Sequence, residues 1–225
     1  MAFKLDSVVP WGRNIDEYRM MFLLTDDDMK KRIAGFGDGP AAFNFEAKKS
    51  GCSVISFDPI YQFSKQQLKT RIEEVRVTVM KQMADNKDNY VWTKIKSLAE
   101  LENIRMTAMN EFLNDYESGK SEGRYIYHEL PERLDFDDDT FDIGLSSHFL
   151  LLYTSLGYEF HISAIDEMLR VCKEVRIFPL CDLDSNNNEM ITSVIEHYNE
   201  NYTVKIKSTE YEFQKGANNV LVISK

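Results

Sequence analysis

The fold of this chain is decided by the stretch Arg32-Ile33-Ala34-Gly35-Phe36-Gly37-Asp38-Gly39-Pro40-Ala41. Its apolar first half predicts a strand over residues 32–36, and the glycines that follow predict a tight turn. Residues 41–49 then predict a helix, and residues 52–57 predict a second strand that ends at Asp58-Pro59. This succession of strand, turn, helix and strand is typical of a parallel sheet with a right-handed crossover.

Strand and helix patterns alternate along most of the remaining chain. They predict strands at residues 124–127, 141–145, 174–178, 203–207 and 220–223, and helices at 161–171 and 188–198. A short turn around Gly216 predicts that the last two strands form an antiparallel hairpin at the sheet edge. Before the first strand lies an amphipathic helix with Ile15, Tyr18, Met21, Phe22 and Leu23. Seven strands with interleaved helices predict an α/β fold with a doubly wound, mostly parallel sheet, similar to a Rossmann fold.

A long helical insertion separates the second and third predicted strands. After Ser64, apolar residues recur at the three- and four-residue steps of one helix face, at Leu68, Ile72, Val75, Val79 and Met83. Residues 85–88 break this pattern, which resumes less regularly from Trp92 to Gly119. We interpret residues 64–119 as an insertion within a single domain of residues 1–225. It either packs on the sheet or a partner subunit, as in a homodimer, or covers a substrate pocket as a lid.

Composition and charge limit the possible classes of function. The 225 residues are 43% hydrophobic, and the net charge of −10 disfavours nucleic acid as a general partner. No apolar run approaches the roughly 20 residues that span a bilayer, and the N-terminus lacks a secretory signal pattern. Cys52, Cys172 and Cys181 lack paired metal spacing, which predicts reduced thiols and a cytoplasmic protein. We interpret the acidic triplets at 26–28 and 137–139 as a helix start and a solvated turn, and predict no metal site.

The glycine turn and Asp58 together predict a site for an adenosine-containing ligand. Ligands of open α/β sheets bind outside the carboxyl ends of the strands, where both features fall. The Asp58 carboxylate is placed to accept hydrogen bonds from ribose hydroxyls. The dinucleotide pattern G-x-G-x-x-G fails, however, because its sixth position from Gly35 is Pro40, which also lacks an amide donor. A ligand without phosphates is therefore favoured, and S-adenosylmethionine fits that description.

Several motifs resemble those of the class I S-adenosylmethionine-dependent methyltransferase family. In that family's first motif, D/E-x-G-x-G-x-G, Gly37 and Gly39 match the first two glycines. Gly35 stands at the acidic position, and Ala41 stands at the third glycine. Asp58 matches the ribose-binding acid. Residues 134–142, Leu-Asp-Phe-Asp-Asp-Asp-Thr-Phe-Asp, resemble the family's L-P-F-x-D-x-S-F-D, which leads into the fourth strand.

The resemblance implies specific site residues as well as a cofactor. Leu130-Pro131-Glu132 lies where adenine is usually contacted. Ser146-Ser147-His148 lies where the family contacts the methionine part and the substrate. In some relatives an arginine before the first strand pairs with the ligand's carboxylate, a role open to Arg13, whose alternative is a surface arginine. The implied cofactor-binding residues are Arg13, Gly35, Gly37, Gly39, Asp58, Pro59, Pro131, Glu132 and Ser146.

His148, at the end of the fourth strand, is the candidate catalytic residue. It would act as a general base, although a substrate-binding or a structural role stays open. No Asn-Pro-Pro-Tyr, Asp-Pro-Pro-Tyr or Pro-Cys motif is present, which disfavours nucleic-acid base methylation. We therefore expect a bacterial-type methyltransferase that acts on a small molecule and releases S-adenosylhomocysteine. The alternatives are a cofactor-binding or regulatory protein of the same fold without turnover, and a nucleotide-sugar or NAD-type enzyme with a degenerate turn, which Pro40 disfavours.

Overall fold

A computed structural model describes residues 9, 11–186 and 188–225 of the chain. Within these residues the strands are β1 (Arg32–Phe36), β2 (Ser53–Phe57), β3 (Tyr125–Ile126), β4 (Phe141–Ser147), β5 (Cys172–Phe178), β6 (Thr203–Ser208) and β7 (Asn219–Ser224). The α-helices are α1 (Ile15–Phe22), α2 (Phe43–Lys49), α3 (Lys65–Asp85), α4 (Leu98–Ser121), α5 (Tyr158–Val171) and α6 (Glu189–Asn199). Each predicted strand and helix is present, with bounds shifted by a few residues.

The strands form one seven-stranded sheet in the order β3-β2-β1-β4-β5-β7-β6. Strands β1 to β5 pair in parallel, whereas β7 runs antiparallel to both β5 and β6. This confirms the predicted α/β fold with a mostly parallel sheet. Chain order reverses between β1 and β4, so the carboxyl ends of these neighbouring strands open a crevice, the usual ligand position in such sheets.

Side chains that alternate along the central strands build a core on each face of the sheet. Ile33 of β1 and Ile143 of β4 belong to one cluster, with Tyr18 and Phe22 of α1. Ala34 and Phe36 of β1 point to the other face, where α5 and α6 pack. The period-two alternation of a strand explains this division.

The insertion consists of two long helices, α3 and α4, which pack against each other and are joined by residues 86–97. Ser64 begins α3 with a capping box to Gln67, and the five predicted apolar residues of this helix are buried. The second helix begins only at Leu98, where Ser97 is the N-cap. Trp92 therefore lies outside the helix, in the connection, because the cap and not the apolar spacing sets the start.

The connection between β6 and β7 differs from the predicted hairpin turn. The two strands pair antiparallel as expected, but residues 209–218 separate them. Tyr211, Phe213 and Ala217 within this connection are buried in the core, so it is a packed segment and not a tight turn. In the sheet, β7 lies between β5 and β6, and β6 is the edge strand.

The acidic triplets have structural partners. Asp28 begins a short 3-10 helix and accepts from Lys31 and Arg176, while Asp138 pairs with Arg170 in a turn. Among residues 9, 11–186 and 188–225, no group of three or more acidic, histidine or cysteine side chains is placed to hold a metal ion. In the same part of the chain, no helix has the length and apolarity needed to cross a bilayer.

Candidate functional site

A cavity of about 410 Å³ opens at the carboxyl ends of β1, β2 and β4. We call it the glycine-turn cavity. Its lining comes from the glycine turn, the end of β2, the segment after β3, the end of β4 and the segment before α1, and includes Trp11, Arg13, Gly37, Asp38, Gly39, Asp58, Pro59, Leu130, Ser147 and His148. The crevice predicted by the strand order is therefore a real concave site.

The glycine turn presents backbone to this cavity. Gly37 and Gly39 have φ angles of 71° and 57°, in the left-handed region that residues with a Cβ rarely adopt. The turn is held from outside, because the Gly37 amide donates to the Phe57 carbonyl at 2.9 Å and the Tyr61 hydroxyl donates to the Gly39 carbonyl at 2.8 Å. The loop is thus fixed before any ligand binds.

Asp58 closes the turn from the end of β2. Its carboxylate accepts from the Gly39 amide and from the Ile60 amide, both at 2.8 Å. Burial raises the pKa of Asp58 to about 6. Two amide bonds leave the carboxylate further acceptor capacity, since an ionised carboxyl has about four lone-pair sites. The predicted ribose-binding acid therefore lies at the cavity with a fixed orientation.

Asp38 is a second buried carboxylate in the turn, one that the sequence reasoning missed. It accepts from the Tyr18 hydroxyl at 2.8 Å and from the Ser56 hydroxyl at 2.6 Å. A Cβ added to Gly35 would lie 1.9 Å from Asp38 Oδ2, so the carboxylate occupies the space that a side chain at position 35 would take. Burial raises the pKa of Asp38 to about 6. The sequence did carry a signal for this role. Asp38 is an acid within the glycine turn, and Gly35 stands at the position where the family usually has its acid.

Arg13 lies on the opposite wall, next to a buried charge network. Arg105 donates to Glu17 at 2.6 Å, and the Tyr211 hydroxyl donates to the same carboxylate at 2.9 Å. Among the described residues Arg13 has no ion-pair partner: it donates to the Trp11 carbonyl at 3.1 Å, and its Nε is buried without a hydrogen bond there. Burial, with the neighbouring Arg105, lowers the pKa of Arg13. Glu17 pairs with Arg105, so within this part of the chain the charge of Arg13 at the cavity wall is left uncompensated.

His148 follows β4 and also lines the cavity. Its φ of 53° turns the chain away from the strand, and its Nδ1 lies 3.0 Å from the Ser147 hydroxyl. Burial, reinforced by Arg13 and Arg105, holds the pKa of His148 well below its ordinary value. The imidazole is therefore neutral at physiological pH.

Four of the predicted cofactor-binding residues do not line the cavity. Gly35 faces Asp38, and Ser146 is buried in β4 with Ser147 taking its place at the wall. Pro131 and Glu132 are exposed in the turn beyond Leu130, while His128, Glu129 and Leu130 line the site. The predicted segments thus reach the cavity, but the residues that line it lie one to three positions from those predicted. The path of the backbone beyond each strand end decides which side chains face the cavity. The spacing of motif residues along the sequence does not reveal that path.

A second cavity of about 360 Å³ adjoins the first. We call it the aromatic cavity, because its lining includes Trp11, Tyr90, Tyr153, Phe178, Tyr211 and Phe213. Trp11, Arg13 and His148 line both cavities. The connection between α3 and α4 pairs with the β6–β7 connection to form one wall, since the Val91 amide donates to the Phe213 carbonyl at 2.7 Å. A lid formed by the insertion at residues 64–119 was one of the two alternatives predicted from the sequence, whereas the β6–β7 connection was not predicted as a wall.

Comparison with known proteins finds a relative over the full length. No family model matches the chain. The uncharacterised protein MJ0045 of Methanocaldococcus jannaschii is 34% identical over 221 residues, which cover 97% of each protein. The chain belongs to the family of MJ0045.

Solved structures give more distant similarities to this member of the MJ0045 family. The magnesium protoporphyrin IX methyltransferase of Synechocystis, solved with bound S-adenosylhomocysteine, has a TM-score of 0.48 at 10% identity, covering 94% of this chain and 81% of that one. A SAM-dependent methyltransferase of Methanosarcina mazei has a TM-score of 0.44 at 12% identity, covering 88% of this chain and 93% of that one.

Proposed function

We propose that the protein is an S-adenosylmethionine-dependent methyltransferase with a small-molecule acceptor. The observation that carries this proposal is the buried Asp58 carboxylate, which is locked onto the Gly39 amide at the floor of the glycine-turn cavity. A fixed carboxylate beside open glycine backbone suits a ribose. Pro40 at the mouth of the following helix removes an amide that would bind a phosphate, which favours a phosphate-free adenosine ligand.

The remaining lining fits the other parts of that ligand. Arg13, which has no ion pair within the described part of the chain, would bind the methionine carboxylate, and Leu130 with Ile60 would contact the adenine. When bound, the cofactor supplies a methyl group on a positively charged sulfur, an electrophile that needs no activation by the protein. The protein's task is then to orient the acceptor and exclude water.

Asp38 would bind the ligand's amino group in place of the family's usual acid. That acid is missing at position 35, yet the Asp38 carboxylate occupies the space in front of Gly35 and lines the cavity. A carboxylate so placed restores an anionic partner for an ammonium group. This weakens the alternative of a non-catalytic binding protein, because its main support was the missing acid.

His148 would hold the acceptor's proton-bearing group. Its neutral imidazole lies at the wall shared by both cavities, and in the tautomer whose Nδ1–H donates to the Ser147 hydroxyl, Nε2 carries the lone pair that would accept that hydrogen. The low pKa of His148 makes it a weak base, so its contribution is orientation plus removal of an already acidic proton.

The test is titration calorimetry of the purified protein with S-adenosylmethionine, S-adenosylhomocysteine and NAD. We expect both sulfur ligands to bind and NAD not to. Asp58→Asn should weaken binding by roughly tenfold or more, the loss of a charge-assisted bond. The exposed Asp137→Asn is the matched control and should bind as the unaltered protein does. Binding of NAD alone would overturn the proposal, and sulfur-ligand binding without transfer to any acceptor would favour the non-catalytic alternative.

A further inference from the structure

The aromatic cavity has no assigned role, although it meets the glycine-turn cavity at a common wall. Val9, Trp11, Arg13 and His148 line both spaces. A molecule in one cavity would therefore lie against the same four residues as a molecule in the other. Two adjoining sites of this kind are what a transfer between two bound molecules requires.

The lining selects for a flat, apolar occupant. Tyr90 and Phe213 stack with ring centroids 5.0 Å apart and an interplanar angle of 24°, and Phe178 and Tyr211 meet at 5.8 Å with near-perpendicular rings. Such surfaces contact an aromatic ring by stacking or by its edge. The volume of about 360 Å³ lies near the lower end of ordinary ligand pockets, which suits a compact ring system.

Charge differs between the two ends of this cavity. At the inner wall, Arg13 has no ion pair among the described residues, and Arg105 pairs with Glu17, whose carboxylate also accepts from the Tyr211 hydroxyl. At the outer side, Asp184 and Lys215 carry opposite charges. The inner wall is therefore positive and the mouth is balanced, so an oxygen that carries negative charge is stabilised at the inner end.

We propose that the aromatic cavity binds a hydroxylated aromatic compound as the methyl acceptor, with its ring at the Tyr90–Phe213 pair and its phenolic oxygen at the wall of Arg13 and His148. This inference rests on the proposed methyltransferase function. It names the class of acceptor, which that function leaves open.

Methyl transfer at the shared wall needs no residue beyond Arg13 and His148 and no further reactant. The acceptor oxygen forms the bond to the methyl carbon while the carbon–sulfur bond breaks and leaves its electron pair on sulfur. The hydroxyl proton passes to His148 and from there to water. Arg13 lines both cavities, and its five N–H donors would meet the methionine carboxylate on one side and the acceptor oxygen on the other. Its contact with the oxygen favours the phenolate over the phenol and disfavours a lasting charge on the imidazole.

The test uses 4-nitrophenol as a probe, with no cofactor present. This phenol changes its visible absorbance when it ionises, so one titration reports both binding and charge. We expect it to bind the unaltered protein, and the bound probe to be more ionised than free probe in the same buffer. The charged groups that could contribute are Arg13, Arg105, Glu17, Asp184 and Lys215, together with Asp38, Asp58 and Glu129 of the adjoining cavity, and the titratable neighbours are His148 and Tyr211.

Two matched tryptophan variants separate the cavities. Leu183 is partly exposed and lines only the aromatic cavity, while Leu156, 39% exposed, lines only the glycine-turn cavity. Leu183→Trp should abolish measurable 4-nitrophenol binding and leave S-adenosylmethionine binding intact. Leu156→Trp should do the reverse. Circular dichroism establishes that both variants fold.

The outcomes distinguish this inference from the function on which it rests. If S-adenosylmethionine binds but 4-nitrophenol does not, or if Leu183→Trp still binds the probe as tightly, the acceptor assignment is overturned and the cofactor site stands. A bound probe less ionised than the free one would also overturn it, because the oxygen would then lie away from the positive wall. If 4-nitrophenol binds in the aromatic cavity but S-adenosylmethionine does not bind at all, the methyltransferase function itself has failed.

Discussion

At the residue scale, the glycine turn is built around two carboxylates and the space each one needs. Asp58 closes onto the Gly39 amide, and Asp38 folds back over Gly35 between Tyr18 and Ser56. Position 35 must be glycine because the Asp38 carboxylate occupies the space that a Cβ would need. Gly37 and Gly39, by contrast, adopt backbone angles that favour glycine. Glycines that look alike in the motif therefore have different physical tasks.

The contact between positions 35 and 38 predicts a strong coupling between substitutions. Gly35→Ala would place a Cβ 1.9 Å from Asp38 Oδ2, and the short, doubly bonded Asp38 side chain cannot swing away cheaply. We expect a loss of about 1–3 kcal/mol in the free energy of unfolding, typical of overpacking. In the Asp38→Gly background the same change should cost much less. Urea denaturation of the four proteins measures this, and equal costs in both backgrounds would contradict it.

Burial of Asp38 predicts a pH-dependent stability of the unliganded protein. Its folded-state pKa of about 6 lies above its usual value of 3.8, so its contribution to stability is fully present below about pH 4 and is lost as the pH rises through 6. Asp38→Asn removes that loss, and its amide can still bond the two hydroxyls. The variant should be more stable than the unaltered protein at pH 7.5 by on the order of 2 kcal/mol, with the difference vanishing near pH 4.

Denaturation curves at pH 4, 6 and 7.5 check this expectation. The same variant should bind S-adenosylmethionine more weakly, since it lacks the charge proposed to meet the ammonium group. A variant that is less stable at every pH would show that the two hydroxyl bonds outweigh desolvation.

At the scale of elements, the insertion belongs to the core and to the sites. Helix α4 supplies Arg105, which is 1% exposed and pairs with Glu17 of α1, and the Tyr211 hydroxyl completes this network from the β6–β7 connection. Three segments that are distant in sequence are thereby joined beside Arg13. The residues that join α3 to α4 also form a wall of the aromatic cavity.

The buried pair predicts an asymmetric cost of mutation. Arg105→Met would leave the Glu17 carboxylate buried without its 2.6 Å partner, which should destabilise the fold by about 3–5 kcal/mol. The double variant with Glu17→Gln should recover part of that loss, because the uncompensated charge is gone. Thermal and urea unfolding provide the measurement.

The exposed pair Lys81–Asp85 on α3 supplies the control for this comparison. Both of its side chains are more than half exposed, so Lys81→Met should change stability by no more than about 0.5 kcal/mol. Similar costs for Lys81→Met and Arg105→Met would contradict the role given to the buried network.

At the scale of the whole molecule, the sites lie where the sheet, the N-terminal segment and the two long connections converge. The sheet places β1, β2 and β4 side by side, and the segment before α1 brings Trp11 and Arg13 over their ends. A ligand in the glycine-turn cavity would hold these parts together. Binding should therefore stabilise the entire fold.

We expect S-adenosylmethionine, held at a hundred times its dissociation constant at pH 7.5, to add about 2.7 kcal/mol to the free energy of unfolding at that pH. The gain should shrink as the pH falls through 6, because Asp38 and Asp58, both with pKa values of about 6, lose the charge that the ligand would contact. Differential scanning calorimetry at pH 5 and pH 7.5 tests this. A ligand-induced shift that is equal at both values would show that neither carboxylate contacts the ligand in its ionised form.

The amino-acid sequence by itself determined the local elements and the order in which they occur. The apolar alternation at residues 32–36 and 53–57, the helical spacing from Leu68 to Met83 and the turn at Gly37 are local signals, and each produced the expected element. They also placed Asp58 and His148 at strand ends, since the carboxyl end of a parallel strand can be read from chain direction alone.

Only the tertiary structure decided which side chains face the cavities. It turned Gly35, Pro131, Glu132 and Ser146 away, and it brought Asp38 into the space over Gly35. It also joined Glu17, Arg105 and Tyr211, which lie up to 194 residues apart, into one network. Long-range contacts of this kind depend on the packing of whole elements, for which no short stretch of sequence carries a signal.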